Sequence, residues 1–221
     1  MRHIHKMQSR LTLLIGMTTV FVAGLLTSQY LYTPDPVTEM STAPTSVATV
    51  LAPPRVLPDF QLIDQSDRAM TKQDLAGQWT LVFMGFTNCG HVCPTTLFTL
   101  SEAVQQLSVP PRVLFVSVDP GRDSPDVIQT YVQGFGEDFA GATGTEEQLR
   151  EFAGSLGAPF YVQKDDDRYI VDHSNAVFLL DPATQFHALF SAPHDADVIA
   201  EDLARIMRAH TAATATGGRR L

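Results

Sequence analysis

Only two cysteines occur in 221 residues, so the chain can form at most one internal disulfide. They stand at Cys89 and Cys93, separated by three residues. A bridge there closes so short a loop that it scarcely restrains the unfolded chain, and redox or metal chemistry is favoured over stapling. Acidic residues are missing from the start, with no Asp or Glu before Asp35. Three of the 15 basic residues, Arg2, Lys6 and Arg10, lie in that opening segment, so the rest of the chain sets 12 bases against 24 acids, a net charge of −12. So acidic a surface repels phosphate backbones and excludes a nucleic-acid partner. There is no internal repeat and no methionine-rich track. Low-complexity disorder throughout is also excluded, because 44% of the residues are hydrophobic and 18% charged.

Charge is absent from residue 11 to residue 34, and residues 11–26 are strongly apolar. About 20 such residues span a bilayer, so 11–32 is expected to be a membrane anchor. The basic residues 1–10 place the tail in the cytoplasm and the remainder outside, as in a single-pass protein of a bacterial-type inner membrane facing the periplasm. No small-x-small cleavage pattern follows the apolar run, which favours an uncleaved anchor over a signal peptide. Residues 33–54, rich in Pro, Ser and Thr, read as a tether.

The folded domain is expected over 55–210. A half-buried strand over 57–64 precedes a turn at 65–68 and a capped turn at 71–74. Residues 79–86 form a nearly continuous apolar run, the pattern of a strand covered on both faces. A helix follows from Pro94 to about residue 107, with proline tolerated in its first turn. The strand 112–118 completes a right-handed βαβ unit. Helices over 124–133 and 145–156, a short strand at 139–143, an edge strand at 160–163 and a solvated loop at 164–168 come next. The hairpin 176–180/186–190 and a helix over 195–210 close the domain, and 211–221 reads as a mobile tail. His187 in the hairpin and His194 in the next loop read as surface residues, His194 being the more apt for function because loops at sheet ends carry it. The order is that of an α/β thioredoxin-like fold, with both thiols at the carboxyl end of a central strand.

A helix amino terminus lowers a cysteine pKa from about 8.5 toward neutrality. If 89–93 is helical, the two sulfurs share a face at i and i+4. That geometry serves a reversible disulfide, and equally a two-thiolate clamp for a soft ion, above all Cu(I). Disulfide exchange more often uses two intervening residues than three, which moves the balance toward metal. A third ligand has to come from elsewhere. His173, 80 residues beyond Cys93, precedes a core strand in a loop able to fold over the cysteine turn; taken alone, a lone histidine is more often an ordinary surface or core residue.

Three segments, Thr87-Asn88-Cys89-Gly90-His91-Val92-Cys93-Pro94, Val116-Ser117-Val118-Asp119-Pro120-Gly121-Arg122-Asp123 and His173-Ser174 ahead of Val177-Phe178-Leu179-Leu180-Asp181-Pro182, together resemble the Sco/SenC family. The family consists of membrane-anchored, thioredoxin-fold copper proteins implicated in maturing the dinuclear copper centre of cytochrome c oxidase. The resemblance implies one copper ion, Cu(I) or Cu(II), on Cys89, Cys93 and His173. It implies Asp119 as a neighbour that orients a ligand or partner, although Asp before Pro-Gly is also ordinary turn chemistry. Expected partners are the oxidase subunit bearing that centre and other copper chaperones or thiol oxidoreductases. Gly90-His91 departs from the family's usual Pro-Asp, making the site less anionic. His91, which on an ideal helix points away from the sulfurs, is at most an added ligand and otherwise a solvent-facing tuner. The leading expectation is a copper carrier without turnover. The rival is a thiol-disulfide reductase of a copper-receiving protein, with Cys89 and Cys93 catalytic, and a third reading is peroxide reduction on the same fold.

Overall fold

The computed structural model describes residues 46–165 and 168–217, together with Ala23 and Thr27, both helical. The expected anchor otherwise lies outside the described residues, as does the basic tail. Among the described residues no helix is long and apolar enough to cross a membrane.

The folded unit runs in the order β1 (Ala48–Val56), β2 (Gln61–Asp64), β3 (Ala69–Thr71), a 3-10 turn (Lys72–Leu75), β4 (Thr80–Gly85), α1 (Val92–Gln105), β5 (Arg112–Ser117), α2 (Pro125–Gln133) and β6 (Phe139–Thr143). It continues with α3 (Glu146–Leu156), β7 (Tyr161–Asp165), β8 (Arg168–Asp172), β9 (Val177–Leu180), β10 (Gln185–Phe190) and α4 (Ala196–Gly217). Eight strands make one mixed sheet in the order β1-β10-β9-β4-β5-β6-β2-β3, and β7 and β8 pair separately. β4 runs parallel to β5 and antiparallel to β9, with Phe83 opposite Phe115 on one side and Val177 on the other.

Successive residues of the central strands serve opposite cores, as the two-residue period of a strand requires. Leu81, Phe83, Val113 and Phe115 pack with Leu97 and Leu100 of α1, Ile128 of α2 and Leu203 of α4. Val82, Met84, Leu114 and Val116 pack with Leu149 and Phe152 of α3 on the other face. The α3 capping box forms as its sequence predicts, Thr145 and Gln148 exchanging side-chain bonds to each other's amides, and Gly157 ends the helix at φ 75°.

Three expectations need correction. The stretch read as tether contributes β1, which pairs antiparallel with β10; the register shifts between Val50 and Arg55, where Pro53 and Pro54 fall. Prolines are tolerated at an edge strand and at an irregularity, and β1 is both. The stretch read as a solvated loop is part of the β7–β8 hairpin, from which Val162 and Val171 reach the second core. The last helix continues through Gly217 instead of ending at His210.

Asp202 of α4 secures β1. Its carboxylate accepts from Ser46 Oγ at 3.0 Å and from the amides of Val47 at 3.0 Å and Ala48 at 3.1 Å, and pairs with Arg205. Burial pushes its pKa up, but the bonds from Arg205, Ser46 and Ala48 outweigh burial and hold it below the ordinary carboxylate value. A depressed folded pKa stabilises the fold above the unfolded value, about 3.9, and the contribution is lost as pH falls through the folded value. Asp202→Asn is therefore expected to cost about 2 kcal/mol at pH 7, with a smaller difference from wild type at about pH 3. Urea unfolding at both pH values measures this; an equal difference at the two would contradict it.

Candidate metal centre

Helix α1 begins at Val92, so Cys89 lies in the turn before it and Cys93 in its first turn. The i, i+4 helical geometry therefore does not apply, yet the sulfurs converge, because the Cys93 amide donates to Cys89 Sγ at 3.3 Å. Both thiols are free, Cys93 buried and Cys89 half-buried. His173 arrives from the segment between β8 and β9, its Nε2 3.5 Å from Cys93 Sγ. The two sulfurs and an imidazole nitrogen lie within 4.8 Å of one another. The rings of Phe83 and Phe86 stand edge-on to His173, at 6.1 Å and 5.8 Å between centroids. His173 Nδ1 lies 3.0 Å from the Ser174 carbonyl; with the proton on that nitrogen, the Nε2 lone pair faces the sulfurs.

The thiols differ in acidity. Burial raises the Cys89 pKa, but the Cys93 side chain and the amides of Cys93, His91 and Val92 outweigh it and hold Cys89 below its ordinary value. Burial, followed by the Cys89 neighbour, pushes Cys93 far up. Burial lowers His173, against weaker upward pulls from the Ser174 carbonyl and Asp172, so the ring favours the neutral form that binds metal. In the metal-free reduced protein at pH 7.5, iodoacetamide is expected to label Cys89 at least about tenfold faster than Cys93. Peptide mass spectrometry measures the two rates, and equal labelling would refute the asymmetry.

Of the expected neighbours, His91 is exposed and its side chain is not part of the donor cluster; it serves through its backbone, as helix cap and as an amide on Cys89. A side chain at position 90 would meet nothing within 4 Å, so the Gly90 departure makes no steric demand. Asp119 is fully buried and is not one of the clustered donors. Its carboxylate accepts from Arg122 Nε at 2.5 Å and from the Tyr169 hydroxyl, and Tyr169 sits on β8 four residues before His173. Arg122 covers the Tyr169 ring at 3.8 Å.

Sequence reasoning missed Asp123 and Tyr169. Buried Asp123 accepts from the Thr87 amide at 2.8 Å, the Thr87 hydroxyl at 2.6 Å and Ser117 Oγ at 2.6 Å, pinning the start of the cysteine turn. The one available signal was an acid directly before Ser124-Pro125 at the start of α2, where it also reads as ordinary helix-start chemistry. His194 Nε2 lies 2.8 Å from the carbonyl of Asn175, two residues after His173. His187 is buried, contrary to the surface reading, because Trp79 and His210 of α4 pack against its ring on that face of the sheet.

A family model described as SCO1/SenC matches residues 49–208. The chain belongs to that family. A bovine member, "Protein SCO2 homolog, mitochondrial", is 38% identical over 158 residues, covering 68% of this chain and 59% of its own length. The matched region thus spans under two thirds of that relative. A "Putative copper-binding protein" of Stutzerimonas stutzeri is 33% identical over 167 residues, covering 72% of this chain and 82% of its own. Among solved structures, that of Arabidopsis thaliana ScoI with copper bound superposes with a TM-score of 0.65 at 30% identity, covering 69% of this chain and 98% of that one. This SCO1/SenC member thus shares the mixed sheet and flanking helices of thioredoxin-like Sco structures.

Proposed function

We propose that the chain carries one copper ion on Cys89, Cys93 and His173 and passes it to an acceptor by ligand exchange. The observation that carries this reading is the convergence of two sulfurs and one imidazole nitrogen within 4.8 Å, drawn from a turn, a helix and a loop 80 residues away. Two thiolates and an imidazole are soft donors that suit Cu(I). The copper-bound relative supports that choice over zinc, which also accepts nitrogen and sulfur. Cys89, acidic and half-buried, is the ligand an incoming donor reaches first. Cys93 binds as thiolate only after losing a proton held by burial, so loading releases protons and strengthens as pH rises.

Family membership supports the dinuclear copper centre of cytochrome c oxidase as recipient. The uncharged run over residues 11–34 supports a membrane anchor that holds the domain on the extracytoplasmic side. A second reading, reduction of a recipient's disulfide, is favoured by the thiol asymmetry, since an acidic accessible thiol attacks while a buried partner resolves.

The test is titration of the reduced full-length chain with Cu(I) against a chromophoric chelator. One equivalent is expected to bind, and Cys89→Ser and Cys93→Ser are each expected to abolish it at the same chelator concentration. A wild type that binds no more than either variant sinks the copper reading.

A further inference from the structure

At the other end of the sheet, three more donors converge. Asp181 follows β9, His187 lies on β10 and His210 on α4, and one ligand atom from each falls within 4.8 Å of the others. β4 separates this group from the cysteines: Trp79, just before β4, stacks on both histidines, whereas Cys89 follows the strand's far end. Six strand residues span about 20 Å.

We propose that Asp181, His187 and His210 form a second metal site, for a borderline divalent transition ion of the Zn²⁺ or Cu²⁺ class. The proposal does not depend on what the cysteine site carries. Asp181 is 1% exposed and His187 9%, so these polar groups are held in the interior. Asp181 Oδ1 is fixed by the amides of Ala183 at 3.0 Å and Gln185 at 2.9 Å, which leaves Oδ2 turned toward His187 Nδ1 at 3.4 Å. That separation is too long for a close charge-assisted bond, about 2.7–2.9 Å, so this oxygen is under-used. Neither ring nitrogen of His210 has a hydrogen-bond partner among the described residues.

The Trp79 indole holds both imidazoles edge-on, at 5.1 Å from His187 and 5.0 Å from His210, and the two imidazoles lie 5.4 Å apart. Tetrahedral bonds of about 2.1 Å bring donors to about 3.4 Å from each other. Closure from the observed spread asks for a movement of roughly an ångström, which half-buried His210 can supply by side-chain rotation. Two imidazoles and one carboxylate, without sulfur, select borderline divalent ions over Cu(I). His210 is half-buried, so solvent reaches the group from that side. A bound ion would tie α4 to the β9–β10 hairpin.

The test uses the full-length chain carrying Cys89→Ser, Cys93→Ser, His3→Ala and His5→Ala, which removes the other thiols and the terminal imidazoles. Co²⁺ serves as the absorbing probe and Zn²⁺ as competitor. One equivalent of Co²⁺ is expected to bind with visible d–d absorption, to be displaced by Zn²⁺, and to raise the melting temperature. His210→Ala and the bulkier His210→Gln are each expected to weaken binding at least about tenfold, whereas His194→Ala leaves it unchanged. The proposal is overturned if the background protein takes up no saturable equivalent, or if either His210 variant binds as tightly as the background.

Discussion

His173→Ala is expected to weaken Cu(I) binding by about 100-fold, at the upper end of what even outer-shell losses cost a metal site. The reason is positional. His173 Nε2 faces Cys93 Sγ at 3.5 Å and is the one nitrogen in the donor group. Without it two thiolates still hold the ion, but as a two-coordinate clamp without the third bond. Thiol-disulfide exchange needs only the two sulfurs, so reduction of the Cys89–Cys93 disulfide by dithiothreitol is expected to change less than about threefold. Chelator competition and exchange kinetics on the same two proteins separate the readings. If the variant binds copper as tightly as wild type, the three-donor carrier fails. If exchange falls as steeply as affinity, His173 serves the dithiol and the reductase reading gains.

The apolar run ending at Gly85, the scarcity of cysteine and the proline in the first turn of α1 made the centre of the fold and two of its donors legible, because those signals are local. Gly157 and the Thr145/Gln148 capping pair were legible for the same reason. Strand β1 was not, since Pro53 and Pro54 look like tether until the pairing with β10 places them at an edge irregularity. The burial of His187 was hidden for another reason: the rings that cover it, Trp79 and His210, are far away in sequence. The aspartates beside Lys164 concealed a hairpin whose inward residues, among the described side chains, are Val162, Tyr169 and Val171. Asp123 and Tyr169 escaped because their partners are distant: Thr87 lies 36 residues from Asp123, and Asp119 lies 50 from Tyr169. Composition and spacing carry no record of such bonds.

These distant bonds explain how the chain holds three donors from separate segments. Asp123 fixes the cysteine turn to the end of β5 through Thr87 and Ser117. Asp119, four residues earlier in the same connection, fixes the β7–β8 hairpin through Tyr169. One βα connection thus sets the position of both halves of the site. Phe86 and Phe83 cover the imidazole between them and keep the donors partly shielded from water, where metal–ligand electrostatics are stronger.

Asp119→Ala removes the second of these anchors and is expected to destabilise the domain by about 3 kcal/mol, the cost of stranding a buried carboxylate's partners. Arg122, with its side chain 32% exposed, recovers part of its hydration, but the Tyr169 hydroxyl loses its acceptor. Turn capping does not account for the acid, because the turn's own bonds run from the Arg122 and Asp123 amides to the Asp119 carbonyl and survive the substitution. The loss falls on the hairpin. Amides over 161–172 are expected to exchange at least tenfold faster, about 1.4 kcal/mol of local protection. Copper affinity is expected to drop about tenfold at unchanged stoichiometry, as for other groups that orient a ligand. Tyr169→Phe, which leaves the Arg122 pair intact, is expected to reproduce the hairpin effect with a smaller cost in stability. Should Asp119→Ala lower stability while exchange over 161–172 and copper affinity both stay at wild-type values, Asp119 would be a general fold residue and not one that positions His173.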